Sequence, residues 1–357
     1  MSVASPYLDE PILRLADGTV KQTNMLTGTE VWTVPGRGNR PLPSALPDPQ
    51  PIDWGNAGKF CAFCDKRYLE TPPEKSRRII EDGHWKTLQN LQADELSDSV
   101  AQFRRIPNLF EIVSYNYWHL NHGHTPSEAQ HRRMAQYLAS DAGYEHVMSV
   151  VKARALATGT TESEFAEMSD SQRLQQANGF FSGGHDLIVA RRHFESGATS
   201  SSQLASSGTL TPEEHYQYMR MTVRAMADLF HLDPAVRYVA AFQNWLKPAG
   251  ASFDHLHKQL VAIDQLSVQS QSELERLQKH PDIYERILKV GVTRKLIIAQ
   301  NEHAIALAGF GHRYPSIAIW PLGKPQNPWE VSREKLRGVS DILHAAHAAT
   351  GAEIPSN

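Results

Sequence analysis

The alternation of hydrophobic and polar residues predicts an α+β protein. Short apolar runs bounded by turn residues are typical of strands, whereas apolar residues three and four apart are typical of helices. Strands are predicted near residues 30–34, 111–114, 185–190, 236–242, 255–262, 294–300, 303–309 and 315–321. Helices are predicted near residues 126–140, 143–157, 163–177, 212–232, 265–289 and 328–349.

Two features of this pattern bear on the organisation of the chain. Residues 116–178 contain three helical candidates and no strand pattern, which predicts a helical insertion. A strand–strand–helix order around residues 185–230 recurs around residues 303–349, which indicates an internal duplication. The helix after Thr211 begins with a clear signal, since Thr211 can cap it and Glu214 can complete a capping box.

Composition narrows the possible partners. The 357 residues include 36 basic and 39 acidic ones, a net charge of −3, so no general basic field favours nucleic acid or an anionic membrane. There is no apolar run of about 20 residues, and the first residues lack the pattern of a secretion signal, so we expect a cytoplasmic protein. Histidine is frequent, with 17 residues, so histidine side chains are the first candidates for catalytic or metal-binding roles.

Three polar residues alternate along one predicted strand. His255, His257 and Gln259 are spaced two apart, so their side chains point to the same face of a sheet. An imidazole there could attack phosphorus, and an amide could bind phosphoryl oxygens. The alternative is a polar sheet face without chemistry.

The two cysteines form a second candidate site. Cys61 and Cys64 are separated by two residues, a spacing that suits both a tetrahedral zinc site and a thioredoxin-like redox pair. The surrounding Gly- and Pro-rich sequence favours a metal over a redox pair. Zinc then requires two further ligands from distant segments, for which His193 and His255 are the candidates.

Two loops carry groups suited to binding phosphate. Arg37 and Arg40 follow the first predicted strand and could hold phosphates by paired hydrogen bonds, although a solvated loop is equally compatible with them. Asn244, Gly250 and Ser252 precede the histidine strand, and a glycine there permits close approach of the backbone to a phosphate.

Several of these residues belong to longer motifs. The motifs are Asn24-Met25-Leu26-Thr27-Gly28 through Val34-Pro35 to Arg37 and Arg40-Pro41, Cys61 with Cys64, Pro107-Asn108-Leu109-Phe110, Gly184-His185-Asp186-Leu187-Ile188-Val189 through His193, and Asn244 to Gln259. Over roughly residues 20–350, this set resembles the galactose-1-phosphate uridylyltransferase branch of the histidine triad superfamily. The most specific match is the last motif, with its Asn, Gly-x-Ser and His-x-His-x-Gln.

The resemblance implies a fold. We expect a duplicated antiparallel sheet of the histidine triad type with flanking helices, interrupted by the helical insertion. The N-terminal half would span residues 1–265 and the C-terminal half residues 266–357, the latter incomplete at its C-terminal end. The resemblance also implies a homodimer.

The resemblance further implies roles for individual residues. His257 would be the nucleophile that forms a nucleotidyl-histidine, and Gln259 would hold the phosphoryl oxygens. A structural zinc ion would be bound by Cys61, Cys64, His193 and His255. The substrate nucleotide would be bound by Arg37, Arg40, Asn108, Asn244, Gly250 and Ser252. Glu273 stands where the family places a ligand of a second divalent metal.

The implied activity is transfer of a nucleoside monophosphate, with UMP favoured, between a nucleotide-sugar and a sugar 1-phosphate, as in galactose metabolism. One alternative is an adenylyl-transferring phosphorylase that acts on an ADP-sugar or a dinucleoside polyphosphate. A second is a zinc-containing nucleotide-binding protein without turnover. This last alternative is motivated by departures from the family pattern, including Lys258, which replaces a glycine.

Overall fold

The computed structural model describes residues 10–36, 48–56 and 58–357. These residues form two compact units. The first combines the described residues of Met1–Pro47 with Leu266–Ala346, and the second combines Asp48–Gln265 with His347–Asn357. The predicted halves, 1–265 and 266–357, are two repeats of one fold, whereas these units are defined by compactness. The predicted boundary between the halves therefore stays a prediction.

Every strand pairing in the described residues is antiparallel. The strands are β1 (Ile12–Arg14), β2 (Val20–Thr23), β3 (Glu30–Thr33), β4 (Ser76–Glu81), β5 (His84–Gln89), β6 (Phe103–Pro107), β7 (His185–Ala190), β8 (Tyr238–Phe242), β9 (His257–Ile263), β10 (Ile297–Gln300), β11 (Ala304–Ala308) and β12 (Ile317–Pro321). The first unit contains the sheets β1-β2-β3 and β10-β11-β12, and the second contains a six-stranded sheet of order β5-β4-β6-β7-β9-β8.

Helices accompany these sheets. They are α1 (Tyr115–His122), α2 (Glu128–Leu138), α3 (Asp141–Ala157), α4 (Glu162–Glu167), α5 (Asp170–Gln176), α6 (Asn178–Ser182), α7 (Pro212–Phe230), α8 (Val268–Lys279), α9 (Ile283–Thr293) and α10 (Arg333–Thr350). The predicted α+β class is therefore confirmed. In the described part of the chain, no helix combines the length and the apolar character needed to cross a bilayer.

The register of β7 against β9 decides which side chains share a face of the central sheet. Leu187 pairs with Gln259, and Val189 pairs with His257. Since alternate residues of a strand share a face, His185 lies on the same face as Gln259 and His257.

Helix α7 covers the opposite face of that sheet and begins where the sequence predicts. The Thr211 hydroxyl accepts a hydrogen bond from the Glu214 N–H at 3.2 Å, and the Glu214 carboxylate accepts one from the Thr211 N–H at 2.8 Å. The buried Tyr218 of this helix donates its hydroxyl proton to the carbonyl of Ile188 at 3.1 Å. Tyr218, Ile188 and Leu260 belong to the largest hydrophobic cluster of the unit.

The regular secondary structure of the predicted insertion, residues 116–178, is entirely helical. Its helices α2 and α3 match the first two candidates, but the third candidate is divided into α4 and α5 at Met168, which has an extended backbone. Serine or threonine caps begin these helices, since their hydroxyl groups accept hydrogen bonds from otherwise unpaired backbone N–H groups.

Two predictions for the central sheet were incomplete or wrong. The strand expected at 111–114 lies earlier, at Phe103–Pro107, and Ser114 instead caps α1. Residues 76–89, which have a polar pattern, form the β4–β5 hairpin. Asp82 and Gly83 at its turn both have positive φ, of 51° and 76°. An Asp-Gly pair favours this kind of turn.

The first unit has its own hydrophobic core. Helix α9 contributes Ile283 and Ile287, which pack with Met25, Leu307 and Phe310. The core is therefore assembled from both ends of the sequence, because Met25 follows β2 whereas the other four residues lie beyond residue 280.

A buried ion network holds β7 in the second unit. The Asp186 carboxylate has no exposure, and its oxygens lie 2.7 Å from Lys75 Nζ and 2.7 Å from the Arg105 guanidinium. Burial alone would raise the pKa of Asp186, but the charges of Lys75 and Arg105 outweigh it and hold the pKa below its ordinary value. The stabilisation is therefore complete above the unfolded pKa of about 3.9 and is lost as the pH falls through the lower folded pKa.

We expect Asp186→Asn to lower the free energy of unfolding by about 3–5 kcal/mol, because it leaves the buried Lys75 without its counter-charge and Arg105 with Asp228 as its remaining carboxylate partner. The matched control is Glu128→Gln, which removes an exposed ion pair with Arg132 and should cost less than about 1 kcal/mol. Urea unfolding at pH 7 measures both values. Equal losses in the two variants would contradict this account of the network.

Candidate functional site

Four potential metal ligands from three segments meet in the second unit. Cys61 and Cys64 precede a 3₁₀ helix (Asp65–Glu70), His193 follows β7, and His255 precedes β9. One ligand atom from each of the four residues lies within 4.8 Å of the others. The structure thus brings together the ligand set predicted from the sequence, and this cluster could hold a metal ion such as zinc.

The spacing of the donor atoms fits a tetrahedral zinc ion. Bonds of about 2.3 Å to sulfur and about 2.1 Å to nitrogen would place the two sulfurs about 3.8 Å apart and each sulfur about 3.6 Å from each nitrogen. The Cys61 and Cys64 sulfurs lie 3.9 Å apart. Their distances to the Nδ1 atoms of His193 and His255 are 3.4–3.9 Å.

The orientation of His255 favours a metal over a redox pair. His255 Nε2 lies 2.7 Å from the carbonyl oxygen of Ala190, to which it donates, so the lone pair on Nδ1 faces the sulfurs. The hydrogen bond between the thiols raises the pKa of Cys61 and lowers the pKa of Cys64, with His193 and His255 also lowering the latter. Two cysteine sulfurs and two imidazole nitrogens are a complete set of four donors for zinc.

His257 begins β9 next to this cluster. Its Nδ1 lies 2.7 Å from the carbonyl oxygen of His255, which can only accept, so Nδ1 carries the proton and Nε2 keeps its lone pair. Burial lowers the pKa of His257, which favours the neutral ring. The ring also packs against the edge of Phe63, with centroids 5.1 Å apart. The imidazole is therefore oriented by backbone and by packing, with a nucleophilic nitrogen available.

Gln259 follows on the same face and contacts a second buried histidine. Its Oε1 lies 3.2 Å from His185 Nε2. The Asn108 amide nitrogen lies 3.0 Å from the same ring nitrogen, and the backbone N–H of Ile112 donates to His185 Nδ1 at 3.0 Å. The predicted site residues Gln259 and Asn108 are thus brought together around His185.

The loop that joins β8 to β9 carries the remaining described candidates of the second unit. The Asn244 side chain donates to the carbonyl of Gly250 at 3.3 Å. Gly250 has φ of 89°, a conformation that favours glycine. Ser252 is exposed on the same loop. The loop therefore presents a hydroxyl and an amide immediately before His255.

Residues 15–357 match a family described as "Domain of unknown function (DUF4921)". The chain belongs to the DUF4921 family. No curated protein matches it in sequence.

Solved structures with a similar fold include an ADP-glucose phosphorylase from Arabidopsis thaliana with bound ADP-glucose. The two share 16% identity, with a TM-score of 0.51 over 91% of this chain and 74% of the other. A GalT-like protein from Arabidopsis thaliana gives a TM-score of 0.47 at 18% identity, over 80% of this chain and 68% of the other. The resemblance predicted from the motifs is confirmed for the fold.

Three predicted residues of this DUF4921 chain receive no support from the geometry. Arg37 and Arg40 lie outside the described residues. Glu273 lies on α8, where its carboxylate accepts a hydrogen bond from Gln269 at 3.4 Å. Within the described part of the chain, Glu273 belongs to no cluster of three potential metal ligands. The roles of these residues stay predictions.

Lys258 points away from the candidate site. Its Nζ donates to Gln243 Oε1 at 3.1 Å and lies 4.9 Å from the centre of the Tyr218 ring, on the face of the sheet that α7 covers. Burial lowers the pKa of Lys258 to about 8. Lys258, which stands where the uridylyltransferase pattern has a glycine, therefore lies on the opposite face of β9 from His257 and Gln259.

Sequence reasoning assigned no role to two residues that contact the site. Phe63 lies between the two cysteines, so the turn that binds metal also places a ring against His257. His185 was part of a recognised motif without an assigned function. Its alternation with Leu187 on β7 is the available signal that it faces the site, but the contact with Gln259 depends on the register of two strands.

Proposed function

We propose that this protein is a nucleotidyltransferase that works through a covalent nucleotidyl-histidine on His257. The observation that carries the proposal is the hydrogen bond from His257 Nδ1 to the carbonyl of His255, which leaves Nε2 as a lone-pair donor. Gln259, on the same face of β9, supplies an amide for phosphoryl oxygens. A buried and oriented neutral imidazole is a suitable nucleophile for phosphorus.

Each half-reaction exchanges one bond to phosphorus. In the first, the Nε2 lone pair attacks the α-phosphorus of a nucleoside diphosphate sugar, and the bond to the bridging oxygen breaks. The electron pair of that bond leaves with the sugar 1-phosphate, while Nδ1 keeps its proton. In the second half-reaction, a phosphate oxygen of the acceptor attacks the α-phosphorus and returns the electron pair to Nε2. Positioning and electrostatics supply most of the catalysis in such reactions.

Zinc has a structural role in this proposal. Cys61, Cys64, His193 and His255 would hold the ion with all four positions filled, so it would contribute folding free energy rather than bind substrate. It would fix the segment before β9, including the His255 carbonyl that orients His257.

The nucleotide and the sugar are a finer part of the proposal. The motif resemblance favours a uridylyl group, while the solved structure of similar fold contains ADP-glucose. We therefore propose UDP-sugars as the first donor class to test and ADP-glucose as the second. Sugar 1-phosphates or inorganic phosphate are the corresponding acceptors.

Isotope exchange tests the proposal without knowledge of the second substrate. The zinc-loaded protein is incubated with UDP-glucose or ADP-glucose and radiolabelled glucose 1-phosphate. A nucleotidyl-enzyme releases glucose 1-phosphate reversibly, so label should enter the nucleotide-sugar. Binding of either donor without exchange would contradict the proposal and favour a nucleotide-binding protein.

A further inference from the structure

His185 is a buried residue for which neither the sequence motifs nor the proposed chemistry has given a role. It begins β7, has no solvent exposure, and lies on the same sheet face as His257. Three groups surround its ring, namely the Ile112 backbone N–H at Nδ1 and the Gln259 and Asn108 side chains at Nε2.

These contacts determine which ring nitrogen carries the proton. A backbone N–H can only donate, so the Ile112 contact makes Nδ1 the acceptor and places the proton on Nε2. That proton is directed to Gln259 Oε1 at 3.2 Å. In the opposite tautomer, the ring N–H at Nδ1 would face the Ile112 N–H, and the lone pair at Nε2 would face Gln259 Oε1. Only the Asn108 contact would then remain favourable. The Nε2–H tautomer therefore satisfies two of the three contacts and the other tautomer only one.

We propose that His185 is a positioning residue that holds the Gln259 amide in one orientation, with Oε1 against the ring and the amino group toward the phosphoryl group on His257. This inference rests on the proposed function and deepens it.

The orientation matters because a side-chain amide has a donor end and an acceptor end. A phosphoryl oxygen requires a donor, so a Gln259 amide turned by half a revolution would present an oxygen lone pair to a negatively charged group. A donor fixed before the reaction stabilises developing charge more than one that must reorient. His185 fixes the acceptor end of Gln259 and thereby leaves the donor end for substrate.

The neutral state of His185 supports this arrangement. Burial lowers the pKa of His185 to about 4, although the charge of Asp186 acts in the opposite direction. At neutral pH the ring therefore carries one N–H, as the orientation requires.

A double-mutant cycle tests whether His185 acts through Gln259. We expect His185→Leu and Gln259→Leu each to slow isotope exchange by about 10- to 100-fold, with little change in the KM for UDP-glucose or ADP-glucose. The double variant should be no slower than the slower single variant, because both changes remove the same oriented amide. Multiplied losses would overturn the proposal.

The matched control is His146→Leu. His146 lies in the insertion and is also buried. Its ring forms hydrogen bonds with the Tyr137 hydroxyl and with the carbonyl of Thr71. It should lose stability to a degree similar to His185→Leu, yet keep the wild-type exchange rate. A similar loss of exchange in this control would assign the His185 effect to general destabilisation and overturn the proposal.

Long-range proton–nitrogen NMR gives a readout of the His185 tautomer in the wild-type protein that needs no turnover. The His185 imidazole is identified as the one whose ring signals move in Gln259→Leu while its backbone signals stay in place. We expect this ring to be the Nε2–H tautomer. An Nδ1–H tautomer for His185 would overturn the proposal even if exchange is observed. If no donor supports exchange while the Nε2–H tautomer is found, the proposed function fails and the orientation of Gln259 by His185 stands.

Discussion

Replacing His257 by asparagine is expected to lower the rate of nucleotidyl transfer by at least about 10⁴-fold, in the range seen when a catalytic nucleophile is removed. Asparagine preserves a polar side chain of similar reach but has no nucleophilic nitrogen. Phe63 and the His255 carbonyl orient the ring but carry no nucleophilic nitrogen, so neither replaces the lost nucleophile. Isotope exchange with glucose 1-phosphate measures the effect.

The control for this variant is His84→Asn, an exposed histidine on β5. It should retain the wild-type rate. A His257→Asn protein that keeps more than a tenth of that rate would show that the nucleophile lies elsewhere, even if the fold and the metal cluster are as described.

Replacing Cys64 by serine is expected to abolish zinc binding and to destabilise the second unit by several kcal/mol. The reason is that a closed tetrahedral site needs all four ligands and its binding free energy contributes to folding. Cys64 is buried between the two histidine rings, so no water-exposed group can substitute for its thiolate. Metal analysis should fall from about one zinc ion per chain to near zero, and thermal unfolding should move to lower temperature.

His257→Asn provides the matched comparison for the metal experiment. It removes a neighbouring histidine that lies outside the cluster of four, so its zinc content should equal that of the wild type. Loss of zinc in both variants would contradict the assignment of ligands. Retention of zinc in Cys64→Ser would contradict the closed four-ligand site.

The elements that could be predicted from sequence are those with strong local signals. Helix α7 has a complete capping box at Thr211 and Glu214, and β7 is an apolar run after two glycines. The spacing of Cys61 and Cys64 likewise indicates a metal site, whereas His193 and His255 lie in distant segments and could be predicted only through the motifs that carry the family resemblance. In the local cases, a few adjacent residues carry the information.

The elements that were missed depend on contacts between distant residues. Strand β4 contains Arg77 and Arg78, which suggest a solvated segment, yet both are buried. Arg77 is compensated by Glu74 at 2.7 Å, which no local pattern reveals. The contact between His185 and Gln259 is of the same kind, because it requires the register of two strands that are far apart in the sequence.

Intact-protein mass spectrometry tests the central claim most directly. The zinc-loaded protein is incubated separately with UDP-glucose, UDP-galactose and ADP-glucose, beside His257→Asn. We expect the wild type to gain the mass of one nucleoside monophosphate with one class of donor, which names the base, and the variant to gain none. Absence of an adduct with all three donors, in protein shown to contain zinc, would contradict covalent transfer through His257.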